Sequence, residues 1–225
     1  DPVSAAAGGA CWVSFGSLGF LTGRIMHHSI PLFPLSTGLF PEGMLQLQIF
    51  EVRYLDLIKR CHQQQQPFGV VSIKQGKEVQ VPGEVPTLHG VGCLAHIRKF
   101  EPVQPTFFRV LCQGGVRFEL HNVTAGALGV WQGDVTYLPE DPPTEVPSHL
   151  KVHADRLGKV IASAQQQGVI DKLPIFPPYQ LDDCGWLANR YAEALPVSAE
   201  VKLQLLSESD PLKRLEQVIR LSEGG

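Results

Sequence analysis

The hydrophobic positions of residues 44–61, MLQLQIFEVRYLDLIKRC, change period in mid-stride. Leu45, Leu47 and Ile49 alternate with Gln46 and Gln48, which predicts a half-buried strand. From Val52 the apolar positions fall at Val52, Leu55 and Ile58, with Tyr54 and Leu57 beside them, which predicts a helix to about Cys61. Pro67, after HQQQQ, blocks any continuation. Ahead of this unit, IPLFPL from Ile30 is a short apolar run whose prolines suit an edge strand. STGLFPEG supplies the turn between the two strands.

Strands dominate next. FGVVSIK (68–74) is followed by a Gly- and Pro-rich excursion, QGKEVQVPGEVPTLHG, which reads as a loop. VGCLAHIRKFEPV, TFFRVLCQGG, VRFELHNVTAG and LGVWQGDVTYLPED read as four further strands divided by turn signals. There is no βαβ alternation, which argues against a parallel sheet and for an all-β barrel or sandwich. At PEDPPTEVPSH (139–149) the prolines predict a stiff, extended connector. Helical periodicity follows. Leu150, Ala154, Leu157, Val160, Ile161 and Ala164 share a face behind Ser148 as cap. Leu187, Tyr191, Ala194 and Leu195 form a second stripe behind Asp182 or Asp183, and Ser198 caps a third with Val201, Leu205 and Leu206. Asp210 and Pro211 open the fourth, with Leu212, Leu215, Val218, Ile219 and Leu221. The fold class is therefore α+β, with a leader (1–28), a β unit (29–140), a connector (141–147) and a helical bundle (148–225).

Composition narrows the partners. Net charge is −3 and the basic residues are scattered, which argues against nucleic acid, whose phosphates need a basic stripe. The five cysteines are an odd number in a chain long enough to fold without staples, so they read as reduced thiols in the cytoplasm. Residues 1–25 show no period, lack a basic n-region, and are broken by glycines and serines. They predict neither a signal peptide nor a membrane span. They read as a mobile extension, or as sequence lying ahead of a start at Met26.

Several stretches, in order, resemble the N-terminal domain of Lon protease. They are IPLFPL, the LFPEG turn, IFEVRY, PFGVV, GVGCLAHIRKF, GGVRFEL and LPVSAEVKLQLLSESDPLKRLEQV, together covering residues 30 to 222. The resemblance implies a six-stranded, PUA-like pseudobarrel followed by a helical bundle of about four helices. It also implies a module that binds unfolded or extended polypeptide, as a component of proteolysis or quality control. No G-x-x-x-x-G-K-[ST] loop is present, so no cradle for ATP phosphates is visible, and no Lon-type Ser–Lys protease domain follows within the chain. The expected module is non-catalytic, with no cofactor and no metal.

A few residues carry candidate chemistry. Glu51 falls at the N-terminus of the short helix, where a carboxylate meets the positive end of the dipole. Arg53 lies one residue into the first turn, and its guanidinium supplies no proton for acid–base work. With Tyr54 they read as a structural motif. Cys93 and His96, three apart on a strand, point to opposite faces and supply two of the four ligands a structural zinc needs. Cys184 reads as a small buried residue at a helix start, although a helix N-terminus can lower a thiol pKa. Phe40, Tyr54, Phe107 and Phe108 are the candidate polypeptide-binding aromatics, since rings dominate interface energetics. Of Phe107 and Phe108, alternation sends one ring inward and the other out. Two other readings stand beside polypeptide binding: RNA on the PUA-like barrel, and a Cys-dependent hydrolase.

Overall fold

A computed structural model describes residues 27–76, 78 and 86–224. The expectation for residues 1–25 lies outside the described residues, as does most of the excursion between β3 and β4. Six strands, β1 (His28–Leu35), β2 (Met44–Ile49), β3 (Phe68–Gln75), β4 (Thr87–Gln104), β5 (Phe107–Ala125) and β6 (Trp131–Tyr137), form one sheet in the order β2-β5-β4-β3-β1-β6. β5 also pairs with β6, which curls the sheet into a near-barrel ring. The expected α+β architecture is the one observed.

Two details differ from the sequence pattern. β1 lies inside the sheet rather than at its edge, antiparallel to β6 over His28–Leu32 and parallel to β3 over Leu32–Leu35. It changes partner at Leu32, so Pro31 and Pro34 each have a ladder on one side only, which a residue without an N–H tolerates. The β1–β3 pair is the parallel element that the lack of βαβ alternation argued against. Its crossover consists of β2 and the short helix α1 (Val52–Gln64).

The second difference is at Gly114 and Gly115, which read as a turn but sit inside the continuous strand β5. Their purpose is close approach. A Cβ on Gly114 would collide with the carbonyl oxygen of Phe40. The bare backbone instead pairs with the β1–β2 turn, the Glu42 amide donating to the Gly114 carbonyl and the Gly114 amide to the Gly43 carbonyl, both at 2.8 Å.

α1 runs one turn past Cys61, closes on Gln65 in the left-handed conformation, and packs Tyr54, Leu55, Leu57 and Ile58 against Phe33, Leu47, Ile49, Phe68 and Phe108. A separate cluster of Ile30, Leu32, Val71, Leu94, Phe118 and Val135 fills the other part of the barrel. Along β6, Val135 is fully buried while Tyr137 is exposed and stacks on His28.

Beyond the connector come α2 (Lys151–Gln166), α3 (Cys184–Ala194), α4 (Ala199–Ser207) and α5 (Pro211–Glu223). Asp183, Ser198 and Asp210 accept from the amides of Trp186, Val201 and Leu212 as N-caps. Ser148 does not cap: Ser148–Leu150 is a single 3-10 turn leading into α2. α3 packs on α5, and α4 lies against β4. Their core of Leu187, Ala188, Leu205, Leu215 and Val218 takes in one ring from the barrel, Phe40.

Candidate functional site

The Leu39–Gly43 turn is a wedge between the barrel and the helices. Phe40 is 1% exposed within the helical core. Arg190 of α3 donates from Nη2 to the Pro41 carbonyl at 2.7 Å. A Cβ on Gly43 would meet the Glu193 carboxylate, so glycine admits that side chain. A cleft opens on either side of the wedge.

One cleft is polar, with a volume of about 550 Å³. Arg98 and Gln113 line it, Arg98 donating from Nε to Gln113 at 2.7 Å, and Gln180 donates to both carboxylate oxygens of Glu42 at 3.1 and 3.2 Å. At its margin Arg117 of β5 donates to Asp141 at 2.9 Å and to the carbonyls of Leu206 and Glu208. Of its charged side chains, Arg117 and Asp141 pair directly, while Arg98 and Glu42 are answered by the amides of Gln113 and Gln180.

The other is an apolar groove of about 330 Å³. Leu39 and Phe40 come from the wedge, Met44 and Leu45 from β2, Leu157 and Val160 from α2, and Leu173, Pro174 and Ile175 from the segment after α2. That segment is fixed by a bridge between Ile175 and Gly43. Val160, together with Val152 earlier in α2, is about half exposed, at 48% and 54%. The α2 stripe is therefore wider than its own packing uses. The lining also includes Arg190, Glu193 and Lys202. Arg190 Nε stands 3.0 Å from the Glu193 carboxylate, and Lys202 donates to the Glu193 carbonyl at 3.1 Å. Burial pushes the Glu193 carboxyl up to about 7, against the pull of Arg190 and Lys202.

Of the four aromatics singled out, only Phe40 is at this junction. Tyr54 is 3% exposed, stacked on Phe33 at 4.1 Å with the Arg53 guanidinium 4.3 Å from its ring centre. Phe108 is 2% exposed against Phe100, and Phe107, the outward member of the pair, is half-buried at the start of β5. Tyr54 and Phe108 belong to the barrel core, and the walls of the groove are chiefly aliphatic. Glu51 makes no side-chain cap bond. It instead accepts from Arg53 Nε at 3.0 Å, and Arg53, 8% exposed, donates onward to the carbonyls of Gly129 and Glu78. The pair ties α1 to two loops.

Sequence patterning did not single out Arg190, Glu193 or Lys202. A signal was present: Arg190 and Glu193, three apart, are the two charged residues of the helix Cys184–Ala194. Among the described residues the cysteine thiols are buried. Cys93 and Cys184 are fully buried, and burial raises them to about 12 and about 11, with Asp183 adding to the effect at Cys184. His96 is exposed on the face opposite Cys93. Among the described residues no group of three or more His, Cys, Asp or Glu is placed to hold a metal ion, and no helix is long and apolar enough to cross a membrane.

Comparison with known proteins agrees with this architecture. A Lon N-terminal domain protein from Xanthomonas campestris superimposes with a TM-score of 0.65 at 29% identity, covering 86% of this chain and 98% of that one. The N-terminal domain of Lon protease from the Mycobacterium avium complex shares the fold, with a TM-score of 0.54 at 17% identity over 87% of this chain and 98% of its own. Comparison with curated protein sequences gave no match. Residues 29–222 match the ATP-dependent protease La (LON) substrate-binding domain, and the chain belongs to that family.

Proposed function

We propose that the protein is a non-catalytic polypeptide-binding module whose client lies in the apolar groove between barrel and helices. The observation that carries this reading is the groove itself. Aliphatic side chains from four separate segments converge there on open space, with Val160 half exposed on its wall. Contiguous exposed apolar surface marks interaction sites, and junctions between structural units favour clefts. The family is described by its substrate binding, which supplies polypeptide as the class of partner. Client capture within proteolysis or quality control, in the cytoplasm, fits a module of this kind. RNA finds less support, because the polar cleft sets Glu42, Glu140, Asp141 and Asp183 among its arginines, and these carboxylates repel phosphate. A Cys-dependent hydrolase lacks an accessible thiolate among the described cysteines.

Hydrogen exchange with reduced casein as an unfolded client tests the reading. Protection is expected at residues 39–45 and 157–175, and it should vanish in Val160→Asp, whose exposed position tolerates charge without loss of fold. Protection confined to α5, or none at client concentrations up to about a millimolar, would refute it.

A further inference from the structure

The apolar groove is also lined by charge that its own residues leave partly unanswered. Arg190 is 4% exposed, and its Nη2 serves Pro41 and Glu193, but its Nη1 has no hydrogen-bond partner among the described residues. A guanidinium cannot shed its proton, so a buried N–H without an acceptor costs the desolvation of that group. Lys202 of α4, partly exposed, brings a second cation to the same groove. The lining offers one carboxylate, Glu193, against these two cations. The surplus is positive in either protonation state of Glu193.

We propose that the groove receives the C-terminal end of a polypeptide, its last aliphatic side chains among Leu39, Leu157 and Val160 and its terminal α-carboxylate on Lys202 and Arg190. This rests on the polypeptide-binding reading and narrows it. An internal segment offers the same apolar side chains but only neutral carbonyls, and hydrogen bonds to an ionised acceptor are roughly twice as strong. Charge complementarity therefore selects the terminus. The volume of about 330 Å³ suits a short terminal segment rather than a folded surface. Glu193 competes for the same cations. It is faced by Arg190 on its own helix, Lys202 from α4, the Phe40 amide from the wedge and the Cys93 thiol from β4, while Glu42 of the wedge acts on Arg190. Protonation of Glu193 releases Arg190, so carboxylate affinity should rise as pH falls through about 7.

The test is fluorescence anisotropy on the full chain, using an N-terminally labelled short peptide ending in two leucines, as the free acid and as the C-terminal amide. The free acid should bind about tenfold tighter, the worth of one charge-assisted hydrogen bond. That advantage should shrink several-fold in Lys202→Gln and return in Lys202→Arg, with unchanged melting curves. Equal binding of acid and amide would overturn the proposal while leaving polypeptide binding intact. An advantage unmoved in Lys202→Gln would overturn it by placing the carboxylate elsewhere. Displacement of the free-acid peptide by dodecanoate at equal or lower concentration would assign the groove to fatty carboxylates and overturn it as well. No binding of either peptide at about a millimolar would overturn both readings.

Discussion

Arg214 of α5 delivers its guanidinium to the Asp141 carboxylate, with Nη2 donating to Oδ1 at 3.0 Å and Nη1 to Oδ2. Arg214 is wholly buried, and Oδ1 also accepts from Arg117 of the barrel at 2.9 Å. One carboxylate in the connector thus neutralises two buried cations, one from each half of the fold. Spare N–H groups serve the carbonyls of Leu205, Leu206, Glu208 and Pro139 and the Asn189 amide oxygen. The connector is a clamp as well as a spacer.

Asp141→Asn should therefore cost about 3–5 kcal/mol, because it leaves two buried guanidinium groups uncompensated. Thermal denaturation should show a fall in Tm of roughly 10 °C for a chain of this size. Buried pairs are little screened, so the loss should persist at about 1 M salt. A loss below about 1 kcal/mol, or one that salt abolishes, would mean that water already answers these charges.

Gly114→Ala tests the wedge. The added methyl would run into the Phe40 carbonyl, a backbone group that cannot swing aside. Overpacking of this kind costs about 1–3 kcal/mol or more. Gly90→Ala in β4 is the control, since a Cβ there meets nothing within 4 Å and should stay within about 0.5 kcal/mol of wild type. Urea denaturation of both variants decides it, and equal midpoints would show that the turn can lift from β5 freely.

Phe108→Ala and Phe107→Ala separate core from surface on adjacent residues. Phe108 is 2% exposed within the barrel cluster, and its loss should cost about 3–5 kcal/mol. Phe107 is half-buried and should cost markedly less. Comparable losses in chemical denaturation would mean that the outward ring is packed as tightly as the inward one.

The barrel and the helices were legible because their signals are local. Alternation in Leu45–Ile49, the Asp183 and Asp210 caps and Pro211 each fix an element without reference to the rest of the chain. The continuity of β5 was not legible, because Gly114–Gly115 carries a turn signal and its real cause is a carbonyl some seventy residues away. The resemblance motifs have the same character. LFPEG forms the wedge, IFEVRY holds the Arg53 bonds, GGVRF supplies Arg117 and the final helix supplies Arg214. They join distant parts of the fold, and two of them also reach the groove, LFPEG through Leu39 and Phe40 and LPVSAEVKLQLL through Lys202. Leu157 reads as ordinary helix core, and only the placement of α2 beside Leu39 and Met44 turns it into a groove wall.

Glu193 gives the groove a pH dependence that can be read without any ligand. Its carboxyl is raised to about 7 in the folded chain, chiefly by burial, from an ordinary value of 4.5. A raised acid binds its proton more tightly when folded, so the folded state holds more protons than the unfolded state between these two values. Stability from this group is therefore present below about pH 4.5, declines as pH rises, and is lost above about 7. Glu193→Gln removes the titration while keeping the shape. Its absolute stability will also reflect the lost partner of Arg190, so the informative quantity is the slope. Between pH 5 and 8 wild type should lose about 2 kcal/mol relative to the variant. Each tenfold gain in proton affinity on folding is worth about 1.4 kcal/mol, and a quarter-exposed side chain gives up part of that. Urea denaturation of both proteins at each pH measures it. Parallel stability curves across this range would mean that Glu193 ionises near its ordinary value, with Arg190 and Lys202 cancelling the burial.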